Sequence, residues 1–201
     1  MTNRTWQGRV FIGVSLDGYI ARPDGGIDWL TDPPALGRDH QEVASTEPAI
    51  EWETFYPEVG HLVMGRGTYE KVLTFDDWPY RDKQVIVLST TLADTDDRVR
   101  VARSLTEALD RLEAGRASQV YVDGGRVVQA FLAAGLVDEI TIGTAPVLIG
   151  AGRPLFGNMD HDVHLELRAS HVSASGMVHT TYRVVPTPPV ASTSVGASGD
   201  A

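Results

Sequence analysis

Short apolar runs that end in glycine or polar residues alternate with helix-like segments along most of the chain. Arg9-Val10-Phe11-Ile12-Gly13-Val14-Ser15-Leu16 is mostly apolar, which predicts an opening strand buried on both faces. Asp17-Gly18-Tyr19-Ile20-Ala21 leaves it through a glycine turn, and residues 22–26 carry loop chemistry. Residues 27–44, with Pro33 and Pro34, read as irregular, and Thr46-Glu47-Pro48 opens a helix that would bury Ile50, Phe55 and Val59. Strands are predicted at 61–64, 84–89, 99–102 and 119–122. Helices are predicted to start at Thr68, at Ser104 with Glu107 completing a capping box, and at Val127. Residues 139–144 alternate apolar and polar like a half-exposed strand, while 163–167 and 180–185, with Val172 between them, suit a terminal antiparallel pair. Strands alternating with helices, then strands alone, predict an α/β fold whose sheet is mostly parallel with antiparallel additions.

Composition adds limits to this picture. The 201 residues, 42% of them hydrophobic, suit one domain with a sizeable core. The expected division is a lead at 1–8, a domain at 9–185, and a disordered tail at 186–201 rich in Pro, Ser, Thr, Gly and Ala. The absence of cysteine excludes disulfides, thiolate metal sites and thiol nucleophiles. With no signal-peptide pattern and no apolar stretch of about 18–20 residues, a cytoplasmic protein is expected. A net charge of −10 argues against nucleic-acid and membrane partners. It leaves room for a small anionic ligand, since a few arginines and a helix N-terminus suffice to hold phosphate.

Three stretches carry candidate chemistry. In Val122-Asp123-Gly124-Gly125-Arg126-Val127 a buried strand ends in two glycines and a helix begins at once. Such a start lets backbone N–H groups approach a phosphate; the plainer reading is a tight strand-to-helix turn. In Met64-Gly65-Arg66-Gly67-Thr68-Tyr69-Glu70 a strand tip delivers an arginine suited to a phosphate monoester. Otherwise Arg66 pairs with a surface carboxylate and Thr68 caps the helix. Ser89, Thr90 and Thr91 end a strand with hydroxyls, a weak signal alone. His161 and His164, in a polar turn, read as solvent-exposed histidines, so no metal is expected.

Taken in order, Ser15-Leu16-Asp17-Gly18-Tyr19-Ile20-Ala21, Met64–Glu70, Leu88-Ser89-Thr90 and Asp123-Gly124-Gly125-Arg126-Val127 resemble the dihydrofolate reductase superfamily. The nearer resemblance is to the riboflavin-biosynthesis reductase-domain family, and residues 146–156 resemble its late segment. The resemblance spans residues 9–185. It implies a dihydrofolate-reductase-like three-layer fold, with helices flanking a mostly parallel sheet and a C-terminal antiparallel hairpin. It also implies NADPH across the carboxyl ends of the central strands. Gly65, Arg66 and Thr68 with Ser89 and Thr90 would hold the adenosine 2′-phosphate region. Gly124, Gly125, Arg126 and Val127 would receive the pyrophosphate, and Ile20 and Ala21 would lie along the nicotinamide.

On the substrate side the candidates are Asp17, Asp28, Trp29 and Asp123, the last also as catalytic acid. For Asp123 the alternative is a helix cap, for Asp17 the fixing of its own turn, and for Trp29 the anchoring of a long loop. The family's lysine four residues before the motif serine is replaced by Phe11, and no glutamate among Glu47, Glu51 and Glu53 aligns with the pterin-pairing acid of dihydrofolate reductases. The expected activity is therefore NADPH-dependent hydride transfer to a C=N or C=O of a small substrate, a pteridine, a pyrimidine or another heterocycle, with its identity left open by the sequence. The alternatives are a non-catalytic nucleotide-binding module, a 5-amino-6-(5-phosphoribosylamino)uracil reductase and a dihydrofolate reductase. A homodimer joined through Glu139–Leu148 is also expected.

Overall fold

A computed structural model describes residues 4–32, 50–173 and 175–186. The expected disordered tail and the predicted helix start at Thr46-Glu47-Pro48 lie outside the described residues, apart from Pro186.

The strands are β1 (Gln7–Ser15), β2 (Tyr19–Ala21), β3 (His61–Gly65), β4 (Gln84–Leu88), β5 (Val99–Ala102), β6 (Gln119–Asp123), β7 (Glu139–Ala145), β8 (Arg153–Pro154), β9 (Leu165–Val172) and β10 (Val178–Val184). The helices are α1 (Asp28–Thr31), α2 (Trp52–Glu58), α3 (Arg66–Val72), α4 (Leu105–Ala114) and α5 (Gly125–Ala133). The main sheet has the order β5-β4-β3-β6-β1-β7-β10-β9. From β5 to β7 all pairings are parallel, and β10 and β9 are added antiparallel. This is the expected α/β, dihydrofolate-reductase-like architecture with its C-terminal antiparallel hairpin.

Strand alternation sorts the core into two layers. Val63, Ile86, Val120 and Val122 face α4 and α5, where they meet Ala108, Leu112, Val128, Phe131 and Leu132. Leu62, Met64, Val85, Val87 and Tyr121 face the other way, with Phe55, Val59, Tyr69 and Val72 of the α2 and α3 side. Phe55 and Phe131 are the largest fully buried side chains, and complete burial of a phenylalanine contributes about 1.5–3 kcal/mol.

Several boundaries shift from expectation, each for a local reason. Residues 4–8 pack onto the domain: Trp6 is buried against Phe131, and Arg4 reaches the Leu136 carbonyl and the Asp138 carboxylate. Residues 19–21 form a strand instead of only a turn, because β8 supplies its partner, which has no strand signature of its own. α3 starts at Arg66 with Gly65 as cap, so Thr68 lies inside the helix. α5 starts at Gly125, two residues before the predicted Val127. In α4, Ser104 Oγ accepts from Glu107 N, but the Glu107 carboxylate accepts from Arg103 N instead of Ser104 N. β9 continues to Val172, so that residue closes a strand instead of standing between two.

β7 is not half-exposed. It is enclosed by β1 and β10, and its Thr141 is buried with its hydroxyl hydrogen-bonded to Thr181 at 2.9 Å. An inward threonine with a cross-strand partner mimics the outward position of an alternating pattern. In the segment expected to join a dimer, Leu148 is exposed, as is Leu16, whose N–H donates to the Val147 carbonyl. Among the described residues no helix is long and apolar enough to cross a membrane.

Candidate functional site

The chain leaves β3 through α3 toward β4, but leaves β6 through α5 toward the opposite half of the sheet. Adjacent parallel strands whose connections diverge open a crevice at their carboxyl ends, the preferred ligand position of open α/β sheets. Here β3 and β6 are those strands. A cavity of about 1090 Å³ lies there, bordered by the strand-terminal residues Gly65, Leu88 and Asp123.

Two helix starts meet at the crevice. Gly124 caps α5 at φ 85°, a conformation that side-chain-bearing residues rarely adopt. A Cβ at this position would lie 2.3 Å from Thr68 Oγ1, and one at Gly125 would lie 2.6 Å from the Pro154 carbonyl oxygen. The glycine pair thus lets α3, α5 and β8 converge, and the start of α5 borders the cavity together with Arg126 and Val127. Gly124, Gly125 and Val127 are buried and Arg126 is exposed.

At the far side Arg66 is half-exposed. Its Nε donates to Glu70 Oε1 at 2.6 Å and its Nη1 to Thr91 Oγ1 at 3.0 Å. The carboxylate pairing is therefore present, and the guanidinium still borders the cavity with Thr68, Ser89 and Thr90. Ser89 Oγ accepts from Thr91 N and Leu92 N, and Arg103 Nη1 donates to the Ser89 and Leu92 carbonyls. These bonds fix the turn after β4. Ile20 and Ala21 border the opposite wall, joined by Arg153.

Beyond the glycines the cavity becomes aromatic, with Phe11, Phe75, Tyr80 and Tyr121. Leu30 lies over Gly13, where an added Cβ would stand 2.9 Å from its nearest methyl. Asp123 faces this end. Its Oδ1 accepts from Gly124 N at 2.8 Å, and burial raises its pKa to about 6 against the opposing effects of that bond and of Tyr121. Tyr121 donates to the Phe11 carbonyl at 2.9 Å, and burial, then the Asp123 charge, pushes its hydroxyl and that of Tyr80 upward.

Three substrate-side candidates stand elsewhere. The Asp17 carboxylate accepts from Ser15 Oγ, Ile149 N and Gly150 N, and the Ser15 bond leads in holding its pKa low. It latches the β1 turn to the 146–150 segment and does not border the cavity. Asp28 is held by Arg22, with Nε and Nη2 both at 2.8 Å from its oxygens. Trp29 is buried and anchors the loop, while its neighbours Ile27 and Leu30 reach the cavity. Asp17→Ala is expected to lower the unfolding midpoint by a few degrees without changing ligand affinity, a separation that thermal melts and calorimetric titration would resolve. An unchanged melt would remove the latch.

Sequence reasoning passed over Lys71, Tyr80, Arg103 and Arg153, all of which border the cavity. Arg153 sits in the noted late segment; Lys71 and Tyr80 carry no local signal.

The sequence pattern of the RibD C-terminal domain matches residues 8–179. The uncharacterized protein YwjB of Bacillus subtilis is 34% identical over 167 residues, covering 80% of this chain and 88% of the relative. A crystal structure from Shewanella sp. PV-4, of a protein provisionally assigned to riboflavin biosynthesis, is 35% identical with a TM-score of 0.75, covering 90% of this chain and 99% of that one. Dihydrofolate reductase from Enterococcus faecalis, complexed with NADP(H) and RAB-propyl, shares the fold at 19% identity and a TM-score of 0.60, covering 89% and 96%.

Proposed function

The chain belongs to the RibD C-terminal domain family, and from that membership we propose that it is an NADPH-dependent reductase of a small heterocyclic C=N or C=O compound. The observation that carries this reading is the crevice between β3 and β6, where the bare backbone of Gly124 at the start of α5 meets an arginine-bearing rim. The dinucleotide-bound reductase of Enterococcus faecalis, with the same fold, supports the cofactor.

The residues fit the group. The pyrophosphate would rest on the start of α5, where backbone N–H groups and the helix dipole favour an anion. Arg126 would add its charge, and among the described residues it forms no ion pair. The 2′-phosphate would be taken by Arg66 with Thr68, Ser89 and Thr90, and the nicotinamide would lie along Ile20 and Ala21. When bound, the cofactor supplies a hydride to the electrophilic carbon. The chain's own part is to align the acceptor between Phe11 and Tyr80, exclude water, and hold a proton on Asp123 for the atom that gains negative charge. A carboxyl with a pKa of about 6 retains enough protonated form near neutrality for that task, which favours catalysis over a purely binding module. Phe11 stands where the family commonly has a lysine, so a phosphoribosylamino-pyrimidine is not the favoured substrate.

The deciding experiment compares NADPH and NADH on wild type and Arg66→Ala by calorimetric titration. A charged hydrogen-bonded contact is worth about 1.5–3 kcal/mol, so the variant should lose roughly ten- to hundredfold of its NADPH affinity while NADH binding stays put. Equal NADPH affinity in both proteins would refute the assignment.

A further inference from the structure

The outer hairpin carries a side-chain cluster with no part in the reaction proposed above. Strand register pairs His179 of β10 with His171 of β9, so both imidazoles leave the same sheet face as direct neighbours. Their rings stack, with centroids 4.7 Å apart and planes 16° from parallel. His171 is only 6% exposed, and His179 Nδ1 is sealed from solvent with no hydrogen-bond partner among the described residues.

A third group arrives from the helical layer. Glu51 caps α2, and its N–H donates to Thr54 Oγ1, fixing the backbone that carries its carboxylate. Glu51 Oε1 comes to 2.5 Å from His171 Nε2. The contact is not aligned as a hydrogen bond, for Nε2 is also a buried nitrogen without such a partner. Leaving a buried polar atom in this state is costly, and here there are two beside one carboxylate. A His171–Glu51 ion pair alone would leave His179 unsatisfied. A cation between the three side chains would satisfy all of them.

We propose that Glu51, His171 and His179 form a binding site for a divalent transition metal, with Zn²⁺ the best-matched ion. One ligand atom from each residue lies within 4.8 Å of the other two. Zinc bonds of about 2.0–2.2 Å place tetrahedral ligand atoms about 3.3–3.6 Å apart, between the 2.5 Å of the Glu51–His171 contact and the 4.8 Å that bounds the cluster. Two imidazoles and one carboxylate form a three-ligand zinc set that leaves a fourth position for water, and the nitrogen donors disfavour Mg²⁺ and Ca²⁺. The ion would clip the start of α2 to the hairpin. It would do so beside Phe11, whose ring centroid is 6.3 Å from that of His179 and whose side chain borders the cavity. The expectation of no metal rested on His161 and His164, which are exposed. The pairing of His171 with His179 is a property of the hairpin register and has no metal-motif spacing in sequence.

The test uses the full chain, stripped with chelator and titrated with Zn²⁺ by calorimetry, with Co²⁺ as a spectroscopic substitute. One equivalent of Zn²⁺ should bind per chain and raise the melting temperature, Co²⁺ should give the visible absorption of a tetrahedral site, and Mg²⁺ should do neither. Glu51→Gln and His179→Gln should each weaken Zn²⁺ binding by about tenfold or more. Glu51→Gln changes a partly exposed residue, so it decides the matter even if the histidine variant does not fold. Replacing His161 and His164 together by glutamine should leave binding intact. The site is overturned if Zn²⁺ does not bind saturably at micromolar concentration, if binding survives Glu51→Gln undiminished, or if it depends on His161 and His164. None of these outcomes depends on NADPH, so they bear on the metal alone.

Discussion

Gly124→Ala is expected to cost the fold about 2–6 kcal/mol and to abolish measurable NADPH binding. About 1–3 kcal/mol comes from forcing a side-chain-bearing residue to hold φ 85°. A further 1–3 kcal/mol, roughly, comes from the overlap of the new methyl with Thr68 Oγ1, 2.3 Å from the ideal Cβ position. The two parts are separable. Adding Thr68→Ala removes the hydroxyl and should restore about 1–2 kcal/mol, while the backbone strain and the binding defect remain. Urea denaturation of the single and double variants reads the first effect, and calorimetric titration the second. A Gly124→Ala protein with wild-type stability and NADPH affinity would mean that the close approach of α3 and α5 does not shape the cofactor groove.

Asp123→Asn is expected to weaken catalysis and to strengthen the fold, with the gain confined to higher pH. The folded pKa of about 6 lies above the ordinary carboxylate value of 3.8, so the native state binds the proton more tightly than the unfolded chain does. Stability from that proton is fully present below about pH 4 and is lost as pH rises through about 6. At pH 8 the buried carboxylate is ionised, at a cost bounded by about two pKa units, or about 3 kcal/mol. The amide avoids that cost and keeps an oxygen for Gly124 N, so a gain of about 1–2 kcal/mol is expected at pH 8 and almost none at pH 4. With a reducible substrate from a screen, wild-type kcat/KM should decline as pH rises beyond about 6, whereas the variant should be slow at every pH. Full turnover by Asp123→Asn would take the proton away from this residue, whatever its stability.

The frame and the glycine and hydroxyl rim of the cavity were legible in the sequence because both depend on local patterns. The runs at 61–64, 84–88 and 119–123 are apolar enough to read as buried strands, and each ends in the glycine or hydroxyl chemistry that borders the cavity. The rest of the cavity lining was less legible. Asp17, Asp28 and Trp29 are near the cavity in sequence, but Asp17 is taken by Ser15 and the 149–150 backbone, Asp28 by Arg22, and Trp29 by burial. Tyr80 and Lys71 reach the cavity from separate segments, so no short window contains their relationship. Thr141 misled in the opposite sense, since its partner Thr181 lies forty residues away in the hairpin that covers β7.

The central position of β1 bears on how the polypeptide assembles. Both hydrogen-bonding edges of this first strand are completed by β6 and β7, which begin at Gln119 and Glu139. During ribosomal synthesis β1 therefore emerges before either partner, and more than a hundred residues must follow before its ladder closes. Such non-local pairing slows folding and leaves an adhesive apolar segment exposed to other nascent chains. Newly made protein should accordingly depend on chaperones for longer than one whose first strand pairs with its second.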